Sequence, residues 1–270
     1  MPCRRSPRAL ASIVLDAFVV VTQGGGPIVA TAIHDGHALR PECAALTGLD
    51  EAERLREEDP FTGRIASIAP SRLIANRSRF EVDLNRPRDQ AVYRTAADAW
   101  DLDVWREPLP PEVIERSLSE YDAFYAELER VLRARERRHG SFVVLDVHSY
   151  NHCREGVGCA APAADNPEVN VGTGSLDRAR WGALVDRFCE DLAAGGDGPP
   201  LDVRENVRFQ GGHMSRWIHQ TFPKTGCALA LEFKKTFMDE WTGVVDEARL
   251  ARLTGAVAAT FPGLLESLRT

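Results

Sequence analysis

The chain has 270 residues, of which 44% are hydrophobic and 27% charged, and its formal net charge is −7. This composition excludes a disordered or fibrous chain, and the length is enough for a large core. The negative balance argues against nucleic acid or an anionic membrane as partner, since both select a positive surface.

Near the start, Arg4 and Arg5 precede an apolar run over 9–21 with the look of an export signal. Asp16 interrupts that run, no small-residue cleavage site follows, and Gly24–Gly26 lead into a second apolar run. A first β-strand over 13–21 is therefore expected. Further short, β-branched apolar runs predict strands over 28–33, 78–82, 142–147, 169–171 and 227–233. Helices are expected over 50–58, over 112–138 between Pro110-Pro111 and Gly140, over 176–193, over 215–221, and from Asp246 onward with a break at Pro262. Irregular segments fall at 153–175 and 194–200, and neither has the character of a linker. Strands alternating with helices imply one α/β domain over 1–270, with a mixed or mainly parallel sheet covered on both faces. The six cysteines form no CxxC pair and read as reduced thiols, and no stretch of eighteen apolar residues appears. A cytoplasmic location is expected, with no membrane span.

In sheets of this class ligands collect at the carboxyl ends of strands, and four strand ends carry chemistry. His34-Asp35-Gly36-His37 closes one apolar run with two imidazoles about a glycine, able to converge on one cation. His148 closes the run Leu145-Asp146-Val147 and would complete three ligands, leaving a metal ion an open position for water. Asn85-Arg86 follows Arg79-Phe80-Glu81-Val82-Asp83-Leu84 and presents an amide and a guanidinium fork suited to a substrate carboxylate. Glu232 is the single carboxylate in the apolar run 227–233; it should meet a cation or have a raised pKa fit for proton transfer, unless it simply pairs with Lys234 or Lys235.

The series His34-x-x-His37, Val82-Asp83-Leu84-Asn85-Arg86, His148-Ser149-Tyr150, Leu231-Glu232 resembles, in order, the active-site strand ends of zinc carboxypeptidases, except that those enzymes have Glu where His37 stands. Over nearly the whole chain the sequence more closely resembles the N-formylglutamate amidohydrolase family. The segments that carry this are His34-Asp35-Gly36 with Pro41, Val82 to Pro87, Asp146-Val147-His148-Ser149, Gly211-Gly212, and Leu231-Glu232-Phe233-Lys234-Lys235 followed by Met238-Asp239-Glu240. The resemblance implies a three-layer α/β/α fold with a mixed central sheet, phosphorylase/hydrolase-like as in zinc carboxypeptidases. It implies a zinc ion (Zn2+) held by His34, His37 and His148, Glu232 as general base and then acid, and Asp83 orienting His34. Asn85 and Arg86 would anchor the substrate carboxylate, and one of Arg72, Arg77 and Arg79 would polarise the carbonyl.

Glu42 is the alternative to His37 as second ligand. His213, after Gly211-Gly212, is placed to touch substrate. His139, His152 and His219 read as structural or solvated, Asn170, Thr173 and Ser175 as a turn, and Glu57-Glu58-Asp59 before Pro60 as the end of an exposed helix. The expected activity is hydrolysis of the N-formyl or related N-acyl amide of an acidic or small amino acid such as N-formyl-glutamate. The rivals are a zinc carboxypeptidase acting on a short peptide and a relative that only binds ligand.

Overall fold

A computed structural model describes residues 11–15 and 18–269. Eight strands form one sheet in the order β1-β2-β4-β3-β5-β8-β6-β7. These are β1 (Ala11–Leu15), β2 (Val19–Gln23), β3 (Ile28–Ala32), β4 (Ser71–Ala75), β5 (Phe142–Tyr150), β6 (Val169–Gly172), β7 (Val203–Glu205) and β8 (Gly226–Lys234). The centre, β4-β3-β5-β8, is parallel, whereas β1 joins β2, β2 joins β4 and β6 joins β8 antiparallel, with β7 parallel to β6. The sheet is therefore mixed, as expected. All nine residues of β5 are buried, which is the mark of a central parallel strand covered on both faces.

Side chains alternate along the strands and feed two cores. Val143, Leu145, Val147, Leu229 and Leu231 pack on one face with α3 (Thr62–Ala66), α5 (Arg178–Ala193), α7 (Glu247–Ala259) and α8 (Phe261–Ser267). Val29, Leu73, Val144 and Ala228 pack on the other with α4 (Pro111–His139) and α6 (His213–Thr221). The result is helix, sheet, helix. By the same alternation Asp146, His148 and Tyr150 of β5, and Glu232 of β8, share the α4/α6 face. α1 (Pro41–Leu46) and α2 (Glu51–Glu57) lie between β3 and α3, α2 capped by Asp50 with Glu53 reciprocating. α4 starts after Pro110 and stops at Gly140, whose φ of 79° favours glycine.

Three expectations change. The run 13–21 is not one strand: β1 and β2 pair antiparallel, Leu15 opposite Val19, and Asp16 falls between them outside the described residues, as do Arg4 and Arg5. The segment 78–82 is a set of turns, and the strand lies earlier, at β4. Its charges explain why: Glu81 is buried against Arg40 and Arg77, and Asp83 against His34 and Arg79, so side-chain pairs fix this stretch rather than a ladder. β7 is only three residues long and has no apolar run to announce it. Among the described residues, Cys43, Cys153, Cys159, Cys189 and Cys227 are free, and no helix is long and apolar enough to cross a membrane.

Candidate active site

His34 follows β3 and is 2% exposed. The turn after it passes so close to residues 76 and 77 that a Cβ on Gly36 would sit 2.3 Å from the Asn76 carbonyl carbon, so no other residue fits there without displacing backbone. With its proton on Nε2, His34 donates to Asp83 Oδ1 at 2.8 Å, while its Nδ1 is buried without a hydrogen-bond partner. His148, also buried, mirrors this arrangement: Nε2 lies 2.9 Å from Asp146 Oδ1, and Nδ1 lies 3.1 Å from Asp59 Oδ2. The same Asp59 oxygen stands 3.3 Å from His34 Nδ1. Asp59 is fixed from both ends, because its N–H donates to the His34 carbonyl and its Oδ1 accepts from Ser149.

In the tautomer with each Nε2 proton directed to its carboxylate, two imidazole lone pairs and one carboxylate oxygen face each other across about one contact distance. That grouping is repulsive unless a proton or a cation lies among the three atoms. Asp59 is held toward its anion there: burial opposes ionisation, but the adjoining His148 and His34 imidazoles keep its carboxyl well below the usual range. Asp83 is likewise held low, by Arg79 and His34 against burial. The separations of 3.1 and 3.3 Å also suit a metal ion, since bonds of roughly 2.0–2.1 Å in a tetrahedron set ligand atoms about 3.3 Å apart. Asp146 and Asp83, one behind each imidazole, orient the rings as carboxylates do at metal-bound histidines.

The cluster forms the floor of a pocket of about 390 Å³, a size that suits a small molecule. Glu232 is part of its wall, beside His148 in the β5–β8 pairing. Its carboxyl is pushed up to about 7, chiefly by burial, with His148 opposing and Asp59 and Asp146 adding. Neither lysine neutralises it: Lys234 Nζ donates to the Asn166 carbonyl and Lys235 Nζ to the carbonyls of Arg56 and Glu58. Arg79 also lines the pocket. It holds Asp83 at 2.8 Å, stacks on Trp100 at 4.8 Å, and keeps a buried Nε with no partner. Arg72 instead donates to Ala69 and Arg77 to Glu81, so of the three arginines Arg79 alone reaches the pocket. Asn85 Nδ2 comes within 3.5 Å of His148 Nε2 and its Oδ1 accepts from Met214; Gly212 leaves room for that amide, where a Cβ would stand 2.1 Å from Asn85 Oδ1.

The expected residues His34, His148, Glu232, Asn85, Asp83 and Arg79 thus meet, and four others do not. His37 turns away to Glu58 at 2.5 Å and to Arg54, because Gly36 reverses the chain between the two histidines. Glu42 faces Arg116 on the surface. Arg86 lies outside the pocket, its guanidinium over Tyr93 at 4.8 Å. His213 opens α6 against Tyr125 rather than lining the pocket. Sequence reasoning missed Asp59 and Asp146. Both Glu58 and Asp59, expected on an exposed helix end, are buried, at 0% and 3%. Asp146 carried a sign, being the one charge within the buried, otherwise apolar run 142–147.

A mixed-sheet α/β protein with two histidines, an aspartate and an enclosed glutamate at the carboxyl ends of its central strands has the makings of a hydrolase. The family model of N-formylglutamate amidohydrolase matches residues 26–238, and the chain belongs to that family, whose members hydrolyse amide C–N bonds. It is 31% identical to the N-formylglutamate deformylase of Pseudomonas aeruginosa over 278 aligned positions, covering 94% of this chain and 97% of that one. A solved N-formylglutamate amidohydrolase from Ralstonia eutropha JMP134 superposes with a TM-score of 0.75 at 17% identity, covering 94% of this chain and 98% of the other. A gene product of Agrobacterium tumefaciens superposes at 0.65, also with 17% identity, covering 91% and 92%. Both structures share the fold.

Proposed function

We propose that the chain is a zinc-dependent deformylase that releases formate, or a related short acid, from the amide nitrogen of an N-acyl amino acid such as N-formyl-glutamate. It would act in the cytoplasm as one domain. The observation that carries this reading is the buried, unpartnered Nδ1 of His34 facing His148 Nδ1 and the Asp59 carboxylate. His34, His148 and Asp59 would hold the metal, replacing the set that includes His37. A zinc ion bound there supplies Lewis acidity, polarising a carbonyl and making water more acidic.

Around it the chain's own groups divide the work. Glu232, enclosed and with its carboxyl raised chiefly by burial, takes a proton from the attacking water and passes it to the departing amine. Arg79 turns its free Nε toward the oxygen on which negative charge develops. Asn85 donates to the substrate, and Asp83 and Asp146 keep the imidazole rings aligned. The test is release of formate and free amino acid from N-formyl-L-glutamate by zinc-loaded protein, with short peptides as the competing substrate. Formate formation lost on chelation and restored by zinc supports the reading; cleavage of the peptides alone overturns it.

A further inference from the structure

Four Lys and Arg side chains line the pocket: Arg79, Arg154, Arg208 and Lys235. Three are occupied. Arg79 holds Asp83 at 2.8 Å, Arg154 holds Glu57 at 2.8 Å, and Lys235 donates to two backbone carbonyls at 2.6 and 2.7 Å. Arg208 has no carboxylate partner among the described residues. One Nη1 bond goes to the amide oxygen of Asn166 at 2.9 Å, and the guanidinium plane lies over Tyr150 at 5.3 Å and Phe209 at 5.5 Å. Its other donors are uncommitted, and they form the planar fork that a carboxylate accepts in two places.

Arg208 is also held in a fixed relation to the reacting groups. The Asn170 side chain accepts from the N–H of Arg208 at 2.8 Å and of Phe209 at 3.3 Å, and donates to the Phe209 carbonyl at 2.8 Å. Asn170 sits on β6 directly opposite Glu232, so the loop carrying Arg208 is tied to the strand pair that carries the proposed base. Tyr150, beneath the guanidinium, shares the face of His148 two positions along β5, roughly 6–7 Å on. That spacing matches the length of an amino-acid side chain. An α-carboxylate, one bond from the carbon bearing the scissile amide nitrogen, would remain beside the reacting groups. A second carboxylate at the end of the side chain reaches farther.

We infer that Arg208 recognises a carboxylate on the substrate's side chain and selects N-acyl amino acids with acidic side chains, a role that Arg86, turned onto Tyr93, does not fill. The inference rests on the deformylase reading of the same pocket. Its test compares Arg208→Gln with wild type on N-formyl-L-glutamate and N-formyl-L-glutamine, which differ at the distal group alone. The variant should raise KM for the glutamate substrate about tenfold or more with kcat little changed, and leave KM for the glutamine substrate unaltered. Equal effects on both, or none, overturn the inference. In a second arm the zinc-loaded protein is titrated calorimetrically with glutarate, a dicarboxylate that cannot be hydrolysed. Binding that weakens about tenfold in Arg208→Gln but not in Arg204→Gln, whose guanidinium is held by Asp202, supports it, even should no N-formyl substrate be cleaved and the deformylase reading fail. Absent binding in wild type, or equal binding in Arg208→Gln, overturns it.

Discussion

Replacing Glu232 by Gln separates its chemistry from its packing, because the two respond in opposite directions. The amide is nearly isosteric but cannot accept a proton, so turnover on N-formyl-L-glutamate should fall about 10²–10⁴-fold per folded, metal-loaded molecule. Stability of the metal-free protein should move the other way. A carboxyl raised from 4.5 to about 7 by burial and by Asp59 and Asp146 is disfavoured as an anion in the folded state. The folded state therefore loses stability as pH rises from 4.5 through 7, and the loss is complete above 7. The full displacement corresponds to about 3 kcal/mol, and access to water through the pocket reduces the working figure to about 1–2 kcal/mol. Metal-free Glu232→Gln should thus unfold at higher denaturant concentration than metal-free wild type at pH 8.5, and the gap should close toward pH 4.5. Formate release by a coupled assay and urea melts at the two pH values read both effects. Turnover near wild type, or a variant less stable at pH 8.5, would refute the reasoning.

Asp59→Asn removes the anion that joins the two imidazoles and should weaken zinc binding by about 10²–10³-fold, one ligand's share of a typical site, whereas His37→Ala should leave it unchanged; competition against a chromophoric chelator measures both, and the reverse pattern would restore His37 as the ligand. His219 of α6 accepts from the Ala228 N–H at 3.0 Å and donates to Ser175 Oγ at 2.8 Å, and burial pushes it down to about 4 from 6.5. Its contribution is complete above pH 6.5 and drains away as pH falls toward 4, so between pH 8 and 5 wild type should lose about 2 kcal/mol that His219→Gln does not; equal urea-midpoint shifts in the two proteins would contradict this.

The strand ends were the readable part of the site. β3, β5 and β8 are apolar runs, so a histidine or glutamate at their carboxyl ends stands out, and His34, His148 and Glu232 converge as the alternation of β5 and β8 requires. Asp59 was not readable, since Glu57-Glu58-Asp59 has the composition of a solvated helix end. It is buried through contacts with groups distant in sequence: Ser78 donates to Glu58, Ser149 to Asp59, and Lys235 to the Glu58 carbonyl. The pair His34-x-x-His37 does not converge, for a local reason. Spacing allows both rings to face one point, but the close passage of Gly36 over residues 76 and 77 sends them apart. Likewise the guanidinium of Arg86 lies outside the pocket, because the segment expected as a strand is folded into turns around buried Asp83, which Tyr93 and Arg79 also contact.

The most direct measurement of the proposed metal centre is anomalous diffraction at the zinc edge from crystals of the zinc-loaded protein. The account predicts a single strong peak about 2.0–2.2 Å from His34 Nδ1, His148 Nδ1 and an Asp59 oxygen, with Glu232 facing its open side and no density on His37. No peak at that position, or zinc bound instead by His37 or by the separate His152, Cys153 and Glu240 group, would contradict it.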